Sequence, residues 1–348
     1  MGKVTIKDVA REAGVSISTV SNALNDVDVL RPDTKAHILE VAERLHYVPN
    51  LNGRNLKAGA TKVIGLFVPF IGGPYMGALA DTMANKCRAA GYELHVFVTT
   101  QRRTIMTNLL GGRVDGAVIL NSELSARQEK QLQEAEVPVV YLNREKNGTY
   151  QAGVFFDSYQ AGRMAAEYIL KLGVTIPGFI IGPDNYDSNE RGRGFREVLD
   201  EQGITLKEEF VWNGNFSREE TYVAVKTFLE KLKQPDGKSW NNGAVGDSEA
   251  SKHSLPQAIF AANDQSAIGC MEALAEAGIA VPESIKVIGC DDIELGRYLT
   301  PSLTTIRTNF EEQGAVATEC LLSMLQGATT GRLEKLSCKL VERESTGL

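Results

Sequence analysis

The sequence predicts an all-α unit at the amino end, followed by a two-lobed α/β core with parallel sheets. Residues 1–60 carry apolar positions at helical spacing and no strand-length apolar run. From Val63 onward, short Val/Ile/Phe-rich runs alternate with helix-length stretches. At 348 residues the chain exceeds one ordinary core and fits two or three folding units.

Thr5, with Asp8 three residues on, reads as the N-cap of a first helix, and Ile6, Val9, Ala10 and Ala13 follow on one face. Gly14 supplies a left-handed turn, Val15 packs inward, and Ser16 caps a second helix whose Val20, Ala23 and Leu24 face the core. After a loop containing Asn25, Asp26 and Asp28, Pro32 and Asp33 start a third helix with Ile38, Val41, Ala42 and Leu45 on one side.

The second helix, within "AGVSISTVSNALN", exposes Ser16, Ile17, Ser18, Ser21 and Asn22. A solvated surface helix normally carries Lys and Glu pairs, so this face is suited to docking. Two helices joined by a Gly turn, the second offering short hydrogen-bonding side chains at its N-terminal end, is how a helix enters the major groove. Hydroxyls and amides there can bond base edges, and the helix end favours a phosphate. Periodicity alone fits a plain three-helix cap equally well.

In "YVPNLNGRNLKAGATKVIG", residues 47–65, Pro49 stops the third helix and Asn50 can cap a further turn carrying Arg54, Leu56 and Lys57. Gly53 weakens that turn by roughly 0.5–1 kcal/mol relative to Ala. The turn is not expected to be helical on its own, and the segment reads as an interdomain linker.

The body runs "VIGLFVP", "ELHVFV", "GAVIL", "PVVYL", "GVFF", "GFIIG", "AIFAAND" and "KVIGCDD" give a parallel α/β pattern, with ligands expected at the carboxyl ends of the strands. A crossover near Tyr159 and a return near Ile293 divide them into two lobes around a cleft: about 61–160 with 293–322, and about 161–292 with 323–348. Residues 234–256, rich in Gly, Ser, Asn and Asp, read as a surface insertion.

Composition excludes several functions. A net charge of −7 disfavours a general polyanion binder, yet residues 1–60 hold eight Lys and Arg against seven Asp and Glu, so the acid lies in the remainder. Five cysteines form no CxxC and the four histidines are scattered, which argues against a metal site. No run approaches the ~18 apolar residues of a membrane span, and no basic stretch leads into an apolar one at the start, so a cytoplasmic protein is expected. No dinucleotide fingerprint, Walker-type phosphate loop or nucleophile elbow is present, which disfavours an enzyme and implies no cofactor.

The run Thr5-Ile6-Lys7-Asp8-Val9-Ala10, then Ala13-Gly14-Val15-Ser16, Thr19-Val20-Ser21 and Leu24-Asn25, resembles the headpiece signature of the lactose/galactose repressor (LacI/GalR) family. The resemblance continues through "VDGAVIL" (114–120), "YLNR" (141–144), "AGRMAAEYILKLG" (161–173), "AANDQSAIG" (261–269), "VIGCDD" (287–292), "LTPSLTTIR" (299–307) and "LVERESTG" (340–347), nearly end to end. It departs at Asn22, where many relatives have Arg, at Gly53, where they usually have Ala, and at "GVTIPGFI" (173–180).

The resemblance implies a helix-turn-helix headpiece (1–48), a hinge (49–60) and a periplasmic-binding-protein-like core (61–348) that binds an effector and dimerises. The function implied is that of a repressor, with palindromic operator DNA, a small-molecule effector and a second copy as partners. The chain ends soon after its last strand with no leucine-heptad tail, so a homodimer is expected rather than a tail-held tetramer. DNA contacts implied by position are Thr5, Ser16, Ile17, Ser18, Thr19, Ser21 and Asn22, with Ile17, Ser18 and Asn22 reading bases. In the hinge they are Asn50, Arg54, Leu56 and Lys57, with Leu56 as a minor-groove wedge.

Effector contacts implied by position are Asp157, Arg191, Phe216, Asp264 and Asp291, then Tyr75 and Asn143. Carboxylates and a guanidinium bond hydroxyls in pairs, and an aromatic face stacks on a sugar's C–H side. Asp264 alternatively caps a helix, Arg191 forms a lobe ion pair, and Phe216 belongs to the core. A sugar or sugar derivative is the expected effector. The alternatives are a purine-type or protein corepressor or, in another class, a sugar-binding receptor without DNA function. Several acids without a Lys/Arg cluster argue against a multiply phosphorylated ligand.

Overall fold

The computed structural model describes residues 4–25, 27, 29–48, 60–122, 124–232 and 255–347. Asp26, Asp28, the hinge positions Pro49, Asn50, Gly53, Arg54, Leu56 and Lys57, and residues 234–254 of the insertion lie outside the described residues. Contacts divide the chain into two units, Met1–Thr61 and Lys62–Leu348.

The first unit has helices α1 (Ile6–Ala13), α2 (Ile17–Leu24) and α3 (Pro32–Arg44) among its described residues. The Asp8 carboxylate reaches back to accept from the Thr5 N–H at 3.0 Å and the Thr5 hydroxyl at 2.7 Å, fixing where α1 starts. Gly14 ends α1 at φ +65°, the left-handed conformation that costs a side-chain-bearing residue most. Ser16 Oγ accepts from the Thr19 N–H at 3.1 Å and caps α2, and Pro32 opens α3. Val9, Ala10, Ala13, Val20, Ala23, Ile38, Val41 and Ala42 share one buried core, as their spacing predicts.

The second unit holds two six-stranded sheets among its described residues. The first sheet contains β1 (Val63–Val68), β2 (Glu93–Val98), β3 (Gly116–Leu120), β4 (Val139–Leu142), β5 (Gln151–Phe156) and β11 (Leu333–Leu336), in the order β11-β5-β4-β3-β1-β2. All of its pairings are parallel. Strand alternation sends Val118 and Leu120 to one face, against α4 (Gly73–Ala89) and α11 (Phe310–Leu325), and Ala117 and Ile119 to the other, against α5 (Arg102–Leu110) and α6 (Ala126–Glu134).

The second sheet contains β6 (Pro177–Ile181), β7 (Val211–Asn213), β8 (Ala258–Ala261), β9 (Lys286–Asp291), β10 (Thr304–Arg307) and β12 (Lys339–Val341), in the order β12-β10-β9-β8-β6-β7. Its edge pair β10–β12 is antiparallel. Phe179, Phe260 and Ile288 pack on α7 (Ser158–Lys171) and α8 (Tyr186–Glu201); Ile180, Ile259 and Val287 pack on α9 (Arg218–Leu232) and α10 (Asp264–Glu276).

The chain leaves the first sheet after Phe156, near the expected Tyr159, but its return differs from expectation. Strand β10 still pairs with β9, Ile306 opposite Cys290, so the return falls at Thr308 rather than near Ile293. Helix α11 and β11 then extend the first lobe to Leu336, past the expected boundary at 322, before β12 crosses back. The reason lies in "LTTIR": Thr304 and Thr305 are fully buried, so a strand without an apolar run lies inside the sheet, between β12 and β9. Their hydroxyls are satisfied internally, Thr305 donating to Asp264 Oδ1 at 2.6 Å and Thr304 to the Arg343 carbonyl at 2.9 Å.

Helices α7 and α8 approach so closely that a Cβ on Gly162 would lie 1.9 Å from the Arg191 carbonyl oxygen. Gly162→Ala is therefore expected to push α8 outward and to lower core stability by about 1–3 kcal/mol, read as a lower urea midpoint at unchanged m-value.

Candidate functional site

Two surfaces carry the chemistry, one in each unit. On the headpiece, Thr5, Ser16 and Ser18 are exposed, Thr19, Ser21 and Asn22 are half-buried, and Ile17 is 45% exposed although it opens a helix with a buried opposite face. Ser16 Oγ lies 2.7 Å from both Ser18 Oγ and Thr19 Oγ1, so the hydroxyls cluster at the amino end of α2, where the helix dipole favours an anion.

In the second unit a cavity of about 480 Å³ opens between the two sheets. It lies at the carboxyl ends of the strands, where the fold class places ligands. The exits carry a recurrent chemistry: Asn121 after β3, Asn143 after β4, Asn185 after β6, Asn215 after β7, Asn263 after β8, and Asp291 at the end of β9. Several of these turns are left-handed, with φ of 53° at Asn121, 55° at Asn143 and 50° at Asn215, a conformation asparagine tolerates better than most residues. Phe216 is also left-handed, at φ 58°, and its ring occupies the space that a Cβ on Gly182 would fill.

Arg191 reaches the cavity from α8 with 3% exposure. It donates to the Ala262 carbonyl, and among the described residues its Nε has no hydrogen-bond partner. Burial raises the pKa of Asp187 and raises that of Asp291 well above the carboxylate range, while the Arg191 charge opposes both shifts. Asp187 also accepts from Ser158 Oγ at 2.7 Å. On the first lobe, Tyr75 stacks edgewise on Phe310 with centroids 4.8 Å apart and donates to Gln313 Oε1 at 2.8 Å.

Of the positions implied for effector, the structure brings Tyr75, Asn143, Arg191, Phe216 and Asp291 to the cavity. Two corrections follow. Asp157 does not line it; its carboxylate accepts from the Gln160 N–H at 3.2 Å, caps α7 and pairs with Lys335 at 3.1 Å. Asp264 does not line it either: 1% exposed, it accepts from the Ile293 N–H at 2.9 Å and from Thr305, which ties β9 to β10. Burial pushes its carboxyl up to about 6. The cap of α10 is Asn263, which accepts from the Ser266 N–H at 2.9 Å and itself faces the cavity. Sequence reasoning missed Asp187 and the asparagines at 121, 185, 215 and 263. For Asn121 and Asn263 the available signal was the first polar residue after an apolar run; Asn185, Asp187 and Asn215 lie further along their loops and helix and carry no such signal.

A hydroxyl-studded three-helix unit joined to a core with a polar cavity between two lobes defines a ligand-responsive DNA-binding regulator. The chain belongs to the lacI family of bacterial regulatory proteins. That family's model matches residues 5–50, and the periplasmic binding protein-like domain matches residues 166–346. Similar proteins include the HTH-type transcriptional repressor PurR of Edwardsiella ictaluri (strain 93-146), 31% identical over 98% of this chain and 96% of its own, and that of Yersinia enterocolitica serotype O:8, also 31% identical over the same shares.

Similar solved structures include the Lac repressor bound to ONPG in the repressed state (25% identity, TM-score 0.78, 99% of this chain and 100% of that one). A Silicibacter pomeroyi lacI-family regulator has the same fold, with a TM-score of 0.81 at 24% identity and 99% coverage of both chains. The protein is accordingly a DNA-binding transcriptional repressor of this family and not an enzyme. Among the described residues, no helix is long and apolar enough to cross a membrane.

Proposed function

We propose that the cavity holds an uncharged, polyhydroxylated metabolite of the sugar class, and that its occupancy sets the affinity of a homodimer for a palindromic operator in the cytoplasm. The observation that carries this reading is the set of strand-exit amides around one guanidinium and two carboxylates. A sugar hydroxyl both donates and accepts, so it is matched by acceptors (Asp187, Asp291) beside donors (Arg191 and the amides). A phosphorylated ligand would meet one cation against two acids. A purine base suits the Phe216 and Tyr75 rings, but it keeps its polar groups in one plane, whereas the amides here come from both lobes.

At the other end, Ile17, Ser18 and Asn22 read base edges in the major groove, supported by phosphate contacts from Thr5, Ser16, Thr19 and Ser21. Asn50, Arg54 and Lys57 of the hinge hold the backbone, and Leu56 wedges a base step. Two-fold symmetry of the dimer requires half-sites related by the same axis.

Thermal shift of the full chain against D-glucose, D-galactose, D-ribose, their monophosphates, hypoxanthine and guanine tests the ligand class. A neutral sugar at about a hundredfold over its Kd should add roughly 2.7 kcal/mol of stability, with its phosphate shifting less. Stabilisation by the nucleobases alone would overturn the sugar reading.

A further inference from the structure

Gln313 sits on α11, fully buried, and is not one of the residues lining the cavity. Its two shortest hydrogen bonds are nevertheless made to residues that are. Its Oε1 accepts the Tyr75 hydroxyl proton at 2.8 Å, and its Nε2 donates to Asn143 Oδ1 at 2.7 Å and, more weakly, to the Val154 carbonyl at 3.3 Å. The Tyr75 hydroxyl could donate or accept, but the Val154 carbonyl only accepts, so it holds the Gln313 nitrogen on the Asn143 side. Asn143 therefore has its oxygen bound on the inside and its N–H₂ left for the cavity. Across the cleft, on the second lobe, stands Asp187, which lines the same cavity from α8. Burial raises the pKa of both Asp187 and Tyr75, and the Asn143 amide, acting as a donor, opposes both shifts.

We propose that Gln313 is a positioning residue for the effector site: it fixes the orientation of the Asn143 amide so that the first-lobe wall presents a donor to Asp187 and to ligand. The functional consequence rests on reading this cavity as the effector site. A ligand that displaces the contact with Asp187 must bring an acceptor oxygen to Asn143, and an analogue lacking that oxygen leaves a buried N–H unmatched. Gln313 thus selects among ligands it never touches.

The test uses the ligand-free full chain, so its outcome is independent of which metabolite binds. Gln313→Glu keeps size and shape but, at alkaline pH where the new carboxyl is ionised, accepts on both oxygens. Asn143 must then turn its N–H₂ inward and present its oxygen to the Asp187 carboxylate. The melting temperature should fall by about 4 °C. Adding Asp187→Asn, which supplies a donor opposite that oxygen, should recover at least half of the loss. With Asn143→Ala the recovery should vanish, because the amide that relays it is gone.

Recovery that persists with Asn143→Ala would mean a direct charge effect between positions 313 and 187, and absence of recovery in the parent would mean that Gln313 does not orient Asn143. Either result overturns the proposal. If the Gln313→Glu chain does not fold, Gln313→Met with Asp187→Asn serves in its place. Their losses should be non-additive with Asn143 present and additive with Asn143→Ala; additivity in both backgrounds overturns the proposal.

Discussion

Arg191→Met is expected to abolish the response to effector and to lower core stability by about 3–5 kcal/mol at neutral pH. Methionine keeps the packing of the stem, so the loss reports on the guanidinium. Arg191 is the cation that opposes the desolvation of Asp187, which is buried, and of Asp291, which is half-buried. Without it, those carboxyls shift further upward and the Ala262 carbonyl loses its donor.

The pH dependence follows from the direction of the shifts. An acid whose folded pKa lies above its unfolded value binds more protons when folded. Its contribution to stability is therefore greatest below the unfolded carboxylate pKa of about 3.9 and falls as pH rises through the folded value. The Arg191→Met deficit should accordingly shrink as pH falls, where both carboxyls are protonated in either chain, and grow as pH rises. Urea midpoints across mildly acidic to neutral pH check this. A deficit independent of pH would show that the guanidinium does not act through these carboxyls.

Removing residues 1–60 is expected to cost at least about a thousandfold in affinity for the specific operator, while leaving effector binding unchanged. The two halves separate because every cavity-lining residue falls between Phe70 and Phe310. The residual core carries the chain's acid surplus, so it repels a duplex rather than holding it weakly. For the full chain, the log–log salt slope should be about −0.9 per phosphate neutralised, and for the truncated chain near zero. Fluorescence anisotropy on a labelled palindrome measures both, and retained affinity in the truncated chain would move DNA recognition out of the headpiece.

The headpiece was legible because its determinants are local. Asp8 reaching back to Thr5, Gly14 in the left-handed region, Ser16 at its cap and Pro32 at the first position of α3 each act within four residues. Strands β1–β6, β8 and β9 were legible as apolar runs, those inside each sheet because parallel strands are buried on both faces, whereas β2 is an edge with no buried residue and showed only as an apolar-rich stretch. Strands β7, β10, β11 and β12 were not, being edges or, in β10, carrying buried threonines whose hydroxyls are satisfied by partners far along the chain. That one strand moved the lobe boundary.

The site was legible in part for a related reason. Arg191, Phe216 and Asp291 reach the cavity, and so do Tyr75 and Asn143, whereas the Asp157 and Asp264 carboxylates are committed to groups inside the fold. Whether a carboxylate faces a ligand or a partner within the chain depends on which strand exit it follows, and one-dimensional spacing does not encode that.

The most direct measurement is the affinity of the full chain for a palindromic operator at fixed salt, with and without the metabolite found by thermal shift. The account predicts a preference of several hundredfold or more over a scrambled duplex. It also predicts a change of about 5- to 150-fold per coupled site when the metabolite is added, and that change should disappear with Arg191→Met. An operator affinity that stays constant while the metabolite saturates the cavity would contradict it.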